Sequence, residues 1–536
     1  DAGARKVVKV AQVHSDLPFM EHDAELPADV FDIIVDNPDY DRALFAVPNG
    51  AVPLRDYAAA LHASQLVVDG GTLQIGIGAL GDAVAQACIL RQRDNDAYGR
   101  LLAAIGADHA DAQSSPFEQG LYVSTEMFVY GMMRLVEEGI VKRRVYDDLE
   151  LQNARNAGAI GDTVDSELYR WALDTGYMPR HLDAQSLARL QHWGIVDEAV
   201  TLAGASLDIA GQHYPNDLRE QRTADALLAQ VQGGTLRHGR YLHGGFFLGP
   251  REFYERLRAL DDAEREAICM TGVRRTNQLL LDFPLYSAQR RDARFINTGM
   301  KVTLSGAVAS DALEDGTVIS GVGGQYNFVA MAHDLPGARS VLCIRSTRGQ
   351  GDALESNIVA RYGHATIPRH LRDIVVTEYG VADLRGQSDA EVIKRLVAVA
   401  DSRFQEELLQ FAREHGKLES DYELPQSARN NTPQRLADSL APFVEQGLLP
   451  DYPFGTELTD REVALAASLR RIKSLSGDPA GMVKAVFRAL LHREDEESAR
   501  PWLERIHLEH PETPKEFLVQ QLLLLDLEDR GLLKVR

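Results

Sequence analysis

The chain has 536 residues, of which 45% are hydrophobic and 25% are charged, and its formal net charge at pH 7 is −22. This length exceeds what one hydrophobic core supports and predicts about three to four structural units. The acidic balance argues against a general binder of nucleic acid or of anionic membranes, because both ligands require basic surface.

The three cysteines, Cys88, Cys269 and Cys343, lie far apart and show no metal-ligand spacing. Their number and spacing fit a reducing compartment, so we expect a cytoplasmic protein without a metal site. No apolar run approaches the roughly 18 residues that a membrane span needs, and no signal peptide is recognisable, so we expect no membrane partner.

Strand and helix patterns alternate in two parts of the chain. Residues 64–89 read as a helix end, a Gly-Gly turn, a strand, a glycine loop and a helix. Farther along, residues 294–306 and 372–380 read as strands, and residues 389–400 read as a helix with apolar residues at helical spacing. This alternation predicts an α/β fold with a largely parallel sheet.

Between these two parts the amino-acid composition changes. Residues 148–240 are polar and rich in Ala, Leu and Arg, which predicts a mostly helical insertion that packs outside the sheet. We therefore expect five segments: 1–55, the tail end of an N-terminal lobe and a linker; 56–147, the first α/β part; 148–240, the insertion; 241–412, the second α/β part; and 413–536, a helical C-terminal extension.

Glu126 is the one charged residue in the stretch YVSTEMFVYG, residues 122–131. A buried carboxylate is costly unless it is paired or hydrogen-bonded. Either this side chain reaches solvent from a strand end, or the chain keeps it for chemistry.

The motif GIGALG, residues 76–81, satisfies the G-x-G-x-x-G pattern after a strand and before a helix. That pattern is typical of dinucleotide binding, with phosphate at the helix N-terminus. The fingerprint also requires an acid at the end of a second strand about 20 positions later, and residues 91–100 show no strand pattern. A tight turn without a ligand is the alternative.

Two further loops are rich in glycine. The loop SGVGGQYNF, residues 320–328, allows close backbone approach to a ligand and fits an anion nest or an oxyanion hole, or simply a β-bulge or hairpin. In residues 344–359, Arg345 and Arg348 follow a predicted strand in a Gly- and Ser-containing loop. They suit phosphate or pantetheine contact, or are solvated loop arginines.

Taken together and in this order, these motifs resemble the acetyl-CoA hydrolase/transferase family, most densely in GVGGQ and in TEYGVADLRG. The resemblance covers roughly residues 6–147 and 241–412. It implies a CoA-transferase-like lobe with a largely parallel sheet and flanking helices, to which the helical insert and the helical extension are added. It also implies that this chain lacks most of the family's N-terminal lobe, and it leaves a homo-oligomer as an open alternative.

The resemblance assigns roles residue by residue. Glu126, in the Thr125-Glu126 pair, matches the family's nucleophile. Attack by this carboxylate creates a tetrahedral oxyanion, which we expect the backbone N–H groups near Gly323 and Gly324 to stabilise. The family's CoA contacts match Gly76, Ile77, Gly78, Ala79, Leu80, Met300, Gly323, Gly324 and Arg348. Coenzyme A is then a substrate, and no tightly bound cofactor or metal is expected.

The implied activity is that of an acyl-CoA transferase or an acetyl-CoA hydrolase that works through a covalent glutamyl intermediate, with an acyl-CoA and a carboxylic acid as small-molecule partners. A non-catalytic CoA-binding relative is the alternative. It is favoured by Lys301, which with Thr303 replaces two acids of the family pattern, and by the expected lack of most of the N-terminal lobe. A nicotinamide oxidoreductase is favoured only by residues 76–81. A second Thr-Glu pair ends at Glu378, to which we assign a structural role.

Overall fold

The computed structural model describes residues 7–47, 49–475, 479–491 and 496–533. The outermost residues of the first and last predicted segments, 1–6 and 534–536, lie outside the described residues.

The chain begins with a small parallel strand pair and then enters the central sheet. These first elements are β1 (Val10–Gln12), β2 (Ile33–Val35), α1 (Leu54–Ser64), β3 (Thr72–Ile75), α2 (Ala79–Arg93), α3 (Asn95–Ile105), β4 (Tyr122–Phe128) and α4 (Tyr130–Glu137). Helix α2 starts directly after Gly78, whose φ of 110° suits a glycine. Residues 91–100 therefore lie in α2, α3 and their junction, so the second strand that a dinucleotide fingerprint requires is replaced by helix.

Between α4 and the next sheet strand, the chain forms a unit with its own core. Its elements are α5 (Leu149–Asn156), α6 (Ser166–Thr175), α7 (Ala184–His192), β5 (Thr201–Ala203), β6 (Ser206–Ile209), β7 (Gln212–Pro215) and α8 (Gln221–Val231). Aspartates cap the first three helices through Asp148, Asp165 and Asp183. The three strands pair with one another in an antiparallel meander, separate from the central sheet. The apolar core of this unit runs from Tyr146 to Leu236.

The second α/β part completes the sheet. Its elements are β8 (Leu242–Phe247), α9 (Arg251–Arg258), α10 (Asp262–Ala267), β9 (Ile268–Met270), α11 (Val273–Thr276), α12 (Phe283–Gln289), β10 (Arg294–Thr298), β11 (Lys301–Thr303), β12 (Val308–Ala309), α13 (Gln325–Asp334), β13 (Arg339–Cys343), β14 (Thr347–Arg348), β15 (Glu355–Ser356), β16 (Ile358–Val359), β17 (Ile374–Thr377), β18 (Gly380–Asp383) and α14 (Asp389–Ala398).

Eight strands form the central sheet in the order β18-β17-β13-β10-β3-β4-β8-β9. Only the edge pair of β17 and β18 is antiparallel among these eight strands, which confirms the prediction of a largely parallel sheet. The parallel strands end at one common edge, which is where ligands bind in sheets of this kind.

The remaining elements are helices: α15 (Ser402–Glu414), α16 (Pro433–Glu445), α17 (Asp460–Leu475), α18 (Pro479–Leu491), α19 (Glu496–Glu504) and α20 (Pro514–Asp529). Helix α16 buries Leu436, Leu440 and Phe443 in the same core as α1 and α2. Helices α17, α19 and α20 share a separate apolar cluster that includes Leu465, Leu503 and Leu523. Within the described ranges, no helix combines the length and the apolar character needed to cross a bilayer.

Candidate active site

Glu126 lies near the carboxyl end of β4, an interior strand of the sheet, and its side chain is partly buried. The side-chain amide of Asn277 donates a hydrogen bond of 2.7 Å from Nδ2 to Oε2 of Glu126. The hydroxyl of Thr276 donates to Oδ1 of Asn277 at 2.9 Å. This second bond orients the amide, so that its NH2 group faces the carboxylate. Glu126 is thus held by a fixed donor instead of extending into solvent.

The loop of Gly323 and Gly324 lies directly against the same carboxylate. A Cβ atom built on Gly324 would lie 2.2 Å from Oε2 of Glu126 and 2.6 Å from Nδ2 of Asn277. A Cβ built on Gly323, whose φ is +56°, would lie 3.5 Å from Oε1 of Glu126. Helix α13 starts at the next residue, so the positive end of its dipole lies at the carboxylate. The absence of side chains at both glycines is what allows this contact.

A pocket of about 500 Å³ opens at the same edge of the sheet. Six of the nine residues predicted to contact CoA line it: Ile77, Gly78, Ala79, Leu80, Met300 and Arg348. Gly76 does not line it, and its N–H instead donates to the Ile296 carbonyl at 3.2 Å, as a continuation of the sheet. The other two, Gly323 and Gly324, lie at Glu126 instead.

One side chain joins the pocket to the Glu126 loop. Nε2 of Gln325, the residue that follows Gly324, donates to the carbonyl of Thr298 at 2.9 Å. Thr298 lines the pocket together with Gly299 and Met300. The structure therefore brings the three glycine-containing motifs and the Thr-Glu pair, which are dispersed in the sequence, to one region.

The pocket carries more positive than negative charge. Arg55, Arg345 and Arg348 line it, against one lining acid, Asp56, which accepts two hydrogen bonds from Arg345 at 2.8 and 2.7 Å. Burial, together with the charge of Arg345, lowers the pKa of Arg55. In a protein of net charge −22, such a local excess of guanidinium groups favours an anionic ligand.

Glu378 points to a different set of atoms. Its buried carboxylate accepts hydrogen bonds of 2.8 Å from both the N–H and the hydroxyl of Ser346. Burial raises the pKa of Glu378, and the two bonds from Ser346 oppose that rise. These contacts tie the end of β17 to the segment after β13.

Three described residues offer metal-ligand atoms within 4.8 Å of one another: His109, Asp111 and Asp383. Arg339 already compensates this group, because its guanidinium donates to Asp383 and lies 3.8 Å from Asp111. The group lies at the opposite end of β13 from Arg345, and it includes no residue of the pocket.

Sequence reasoning did not find Asn277, Arg55 or Asp56. Asn277 is 151 residues from Glu126 in the chain and follows a helix of four residues, so no local pattern marks it. Arg55 and Asp56 lie in the first turn of α1, where charged residues are ordinary.

Comparison with known proteins agrees with the sequence motifs. Residues 249–412 match the model of the acetyl-CoA hydrolase/transferase C-terminal domain. That segment of the chain therefore carries this family's C-terminal domain, and the resemblance to the acetyl-CoA hydrolase/transferase family is confirmed.

Two curated relatives are named as CoA-transferases. A 4-hydroxybutyrate coenzyme A transferase of Clostridium kluyveri is 27% identical over 199 residues, which cover 36% of this chain and 44% of the relative. A probable butyrate:acetyl-CoA coenzyme A-transferase of Syntrophomonas wolfei is 32% identical over 172 residues, which cover 31% of this chain and 36% of the relative. The chain thus spans less than half of the length of either relative.

Among solved structures, RipA from Yersinia pestis superposes with a TM-score of 0.47 at 21% identity, covering 76% of this chain and 63% of RipA. A 4-hydroxybutyrate CoA-transferase from Porphyromonas gingivalis superposes with a TM-score of 0.44 at 20% identity, covering 76% of this chain and 66% of that structure.

Proposed function

We propose that this chain acts on acyl-CoA thioesters as a CoA-transferase or thioester hydrolase, with Glu126 as the covalent nucleophile. The observation that carries the proposal is the contact of the Glu126 carboxylate with Asn277 and Gly324 beside a pocket rich in guanidinium groups. The names of the curated relatives support the same class of substrate.

In the first step, a carboxylate oxygen of Glu126 attacks the thioester carbonyl, and the C–S bond breaks. This gives a mixed acyl-glutamyl anhydride and CoA thiolate. The thiolate then attacks the glutamyl carbonyl of the anhydride, which releases the acyl group as a carboxylate and leaves a glutamyl-CoA thioester. Covalent catalysis of this kind divides one difficult exchange into easier steps.

The second half repeats these steps in reverse. A second carboxylate attacks the glutamyl thioester and forms a new anhydride with Glu126. The returning thiolate takes the acyl group and frees the Glu126 carboxylate. In a hydrolase, water attacks the intermediate instead, and free CoA leaves with a proton.

Each addition creates a tetrahedral oxyanion. We assign this charge to the amide of Asn277, which donates to Glu126, and to the backbone N–H groups of Gly323 and Gly324, whose loop lies against the same carboxylate. The pocket lined by Gly78, Met300 and Arg348 would hold the CoA portion of the substrate. Donors that are already in position need no reorganisation when the charge develops.

Exchange of label between acetate and acetyl-CoA tests the proposal. The wild-type chain is expected either to exchange label or to release free CoA, and Glu126→Ala is expected to abolish both. Glu126→Asp moves the carboxylate by about 1 Å, which lowers the rate by about 100-fold. Equal rates for all three proteins, or neither reaction in the wild type, would contradict the proposal.

A further inference from the structure

Two cations converge on a single carboxylate oxygen at the rim of the pocket. Nε of Arg348 donates to Oε2 of Glu355 at 2.9 Å, and Nη2 of the same guanidinium lies 2.8 Å from that oxygen. Nζ of Lys301 lies 3.4 Å from the same oxygen. The cluster of Lys301, Arg348 and Glu355 therefore carries a net charge of +1 when all three groups are ionised.

The buried member of this cluster is Lys301. Its side chain is 7% exposed, whereas the side chains of Glu355 and Arg348 are 53% and 44% exposed. Burial and the charge of Arg348 lower the pKa of the Lys301 ammonium, and Glu355 opposes that effect. Among the described residues other than Glu355, the partners of Lys301 are weak: the Ser356 carbonyl at 3.5 Å, the ring of Tyr362 at 5.7 Å and the charge of Glu314.

The cluster lies on the border between two cavities. Arg348 lines the 500 Å³ pocket, and so does Met300, the residue before Lys301. Lys301 and Glu355 line a neighbouring groove of about 590 Å³. An anion that extends from the pocket past Arg348 would thus reach the position that Oε2 of Glu355 now occupies.

We propose that this position is a phosphate subsite for the nucleotide portion of CoA, in which Lys301 and Arg348 bind a phosphate group and Glu355 is the internal counter-ion that the phosphate displaces. This inference rests on the proposed function, because it takes CoA as the ligand. The 3′-phosphate of CoA presents three terminal oxygens and more negative charge than a carboxylate, and the diphosphate carries two negative charges over four terminal oxygens, so either group can bind both cations at once.

The exposure of Glu355 makes this exchange feasible. Its carboxylate can rotate into solvent, where it is hydrated, and an exposed ion pair opposes such a movement only weakly. Lys301 is almost completely buried and cannot follow it. The cation therefore stays at the border when the carboxylate leaves, and it requires a new anion.

The test measures dissociation constants of the full chain for CoA, 3′-dephospho-CoA and pantetheine by titration calorimetry. The readout is the ratio of CoA affinity to pantetheine affinity, because pantetheine carries no phosphate. Lys301→Met is expected to lower this ratio about tenfold, the usual effect of losing a charge-assisted hydrogen bond. Glu355→Gln is expected to raise the ratio, since it removes the competing anion.

Matched controls come from a similar ion cluster elsewhere. Lys394 lies 3.2 Å from Glu391 and 3.4 Å from Glu419, and it lines neither cavity. Lys394→Met and Glu419→Gln are expected to leave the ratio unchanged. The titration with 3′-dephospho-CoA identifies which phosphate binds. If Lys301→Met no longer lowers the affinity for this ligand, the subsite binds the 3′-phosphate. If Lys301→Met still lowers it, the subsite binds the diphosphate.

Unchanged ratios for both variants, or shifts in the same direction, would overturn the inference. If Lys301→Met fails to fold, Glu355→Gln still tests the phosphate subsite, because this variant is expected to raise the ratio of CoA to pantetheine affinity. If the wild-type chain binds CoA but neither substitution changes the ratio of CoA to pantetheine affinity, the phosphate subsite is refuted and the proposed function is not. A wild-type chain that binds no CoA refutes the proposed function, and this inference with it.

Discussion

The side-chain amide of Asn277 donates a 2.7 Å hydrogen bond to Oε2 of Glu126. Oε1 accepts no hydrogen bond from the part of the chain that the structure describes, which leaves one carboxylate oxygen held and the other available for attack. The order Thr276–Asn277–Glu126 fixes both the amide and the carboxylate, which is the arrangement that a positioned nucleophile requires.

Replacing Asn277 tests this arrangement. Asn277→Ala removes a hydrogen bond to a charged group, worth about 1.5–3 kcal/mol, and should slow the first covalent step by about 10- to 100-fold. Asn277→Asp should be slower still, because it keeps the shape but places a like charge beside the carboxylate. Single-turnover release of CoA measures the step, and a rate equal to that of the wild type in both variants would exclude a role for Asn277.

The glycine loop gives a steric test with an internal control. In Gly324→Ala, the added methyl group would lie 2.2 Å from Oε2 of Glu126, so the carboxylate must move. A displacement of this size should lower the rate by about 100-fold. In Gly321→Ala, three residues earlier, the methyl group would meet nothing within 4 Å. Rates that fall equally in the two variants would show that the contact with Glu126 is not the cause.

A substitution at Glu378 tests which of the two Thr-Glu pairs supplies the reacting glutamate. The carboxylate of Glu378 is engaged by Ser346 and does not line the pocket. Glu378→Gln should therefore lower the thermal unfolding midpoint, while covalent labelling of Glu126 continues. The substitution removes the charge from the acceptor and replaces one of the two accepting oxygens with an NH2 group, which cannot accept a bond from Ser346. Labelling that disappears in Glu378→Gln and persists in Glu126→Gln would reverse the assignment.

The sequence was sufficient for the elements whose signals are local. Residues 72–93 show the strand, the glycine loop and the helix directly, and β3 and α2 follow that pattern. The predicted strand 294–306 is interrupted after Thr298, where the chain turns from the central sheet into a small second sheet. The turn passes so close to Val308 and Ile344 that a side chain at Gly299 would collide with both.

Long-range relationships could not be predicted in the same way. The short strands β5, β6 and β7 alternate over at most four residues, and two of them are largely exposed, so their apolar signal is weak. The partnership of Asn277 with Glu126 depends on the packing of α11 against β4 and β8. No pattern within either segment encodes that packing.

His62 makes the stability of the fold depend on pH. Burial lowers the pKa of its imidazole to about 4, against an ordinary value of 6.5, and neither ring nitrogen has a hydrogen-bond partner among the described residues. Below pH 6.5 the unfolded chain binds the proton and the folded chain does not. Stability is therefore lost as pH falls, by about 2 kcal/mol between pH 7 and pH 5.

Urea unfolding at pH 7 and pH 5 measures this effect. In His62→Leu the difference between the two pH values should shrink by that amount, because the titrating group is gone. The exposed residue His213 provides the control, and His213→Leu should retain the wild-type difference. A wild-type difference that persists in His62→Leu would show that other groups cause it.

The most direct measurement asks whether Glu126 becomes covalently modified. The chain is incubated with acetyl-CoA, treated with hydroxylamine, digested and mapped by mass spectrometry. Hydroxylamine attacks a glutamyl anhydride or thioester and leaves a hydroxamate on the glutamate. We predict a hydroxamate on Glu126 in the wild type and none in Glu126→Gln. An unmodified Glu126 in the wild type, or a hydroxamate on Glu378 in its place, would contradict the account.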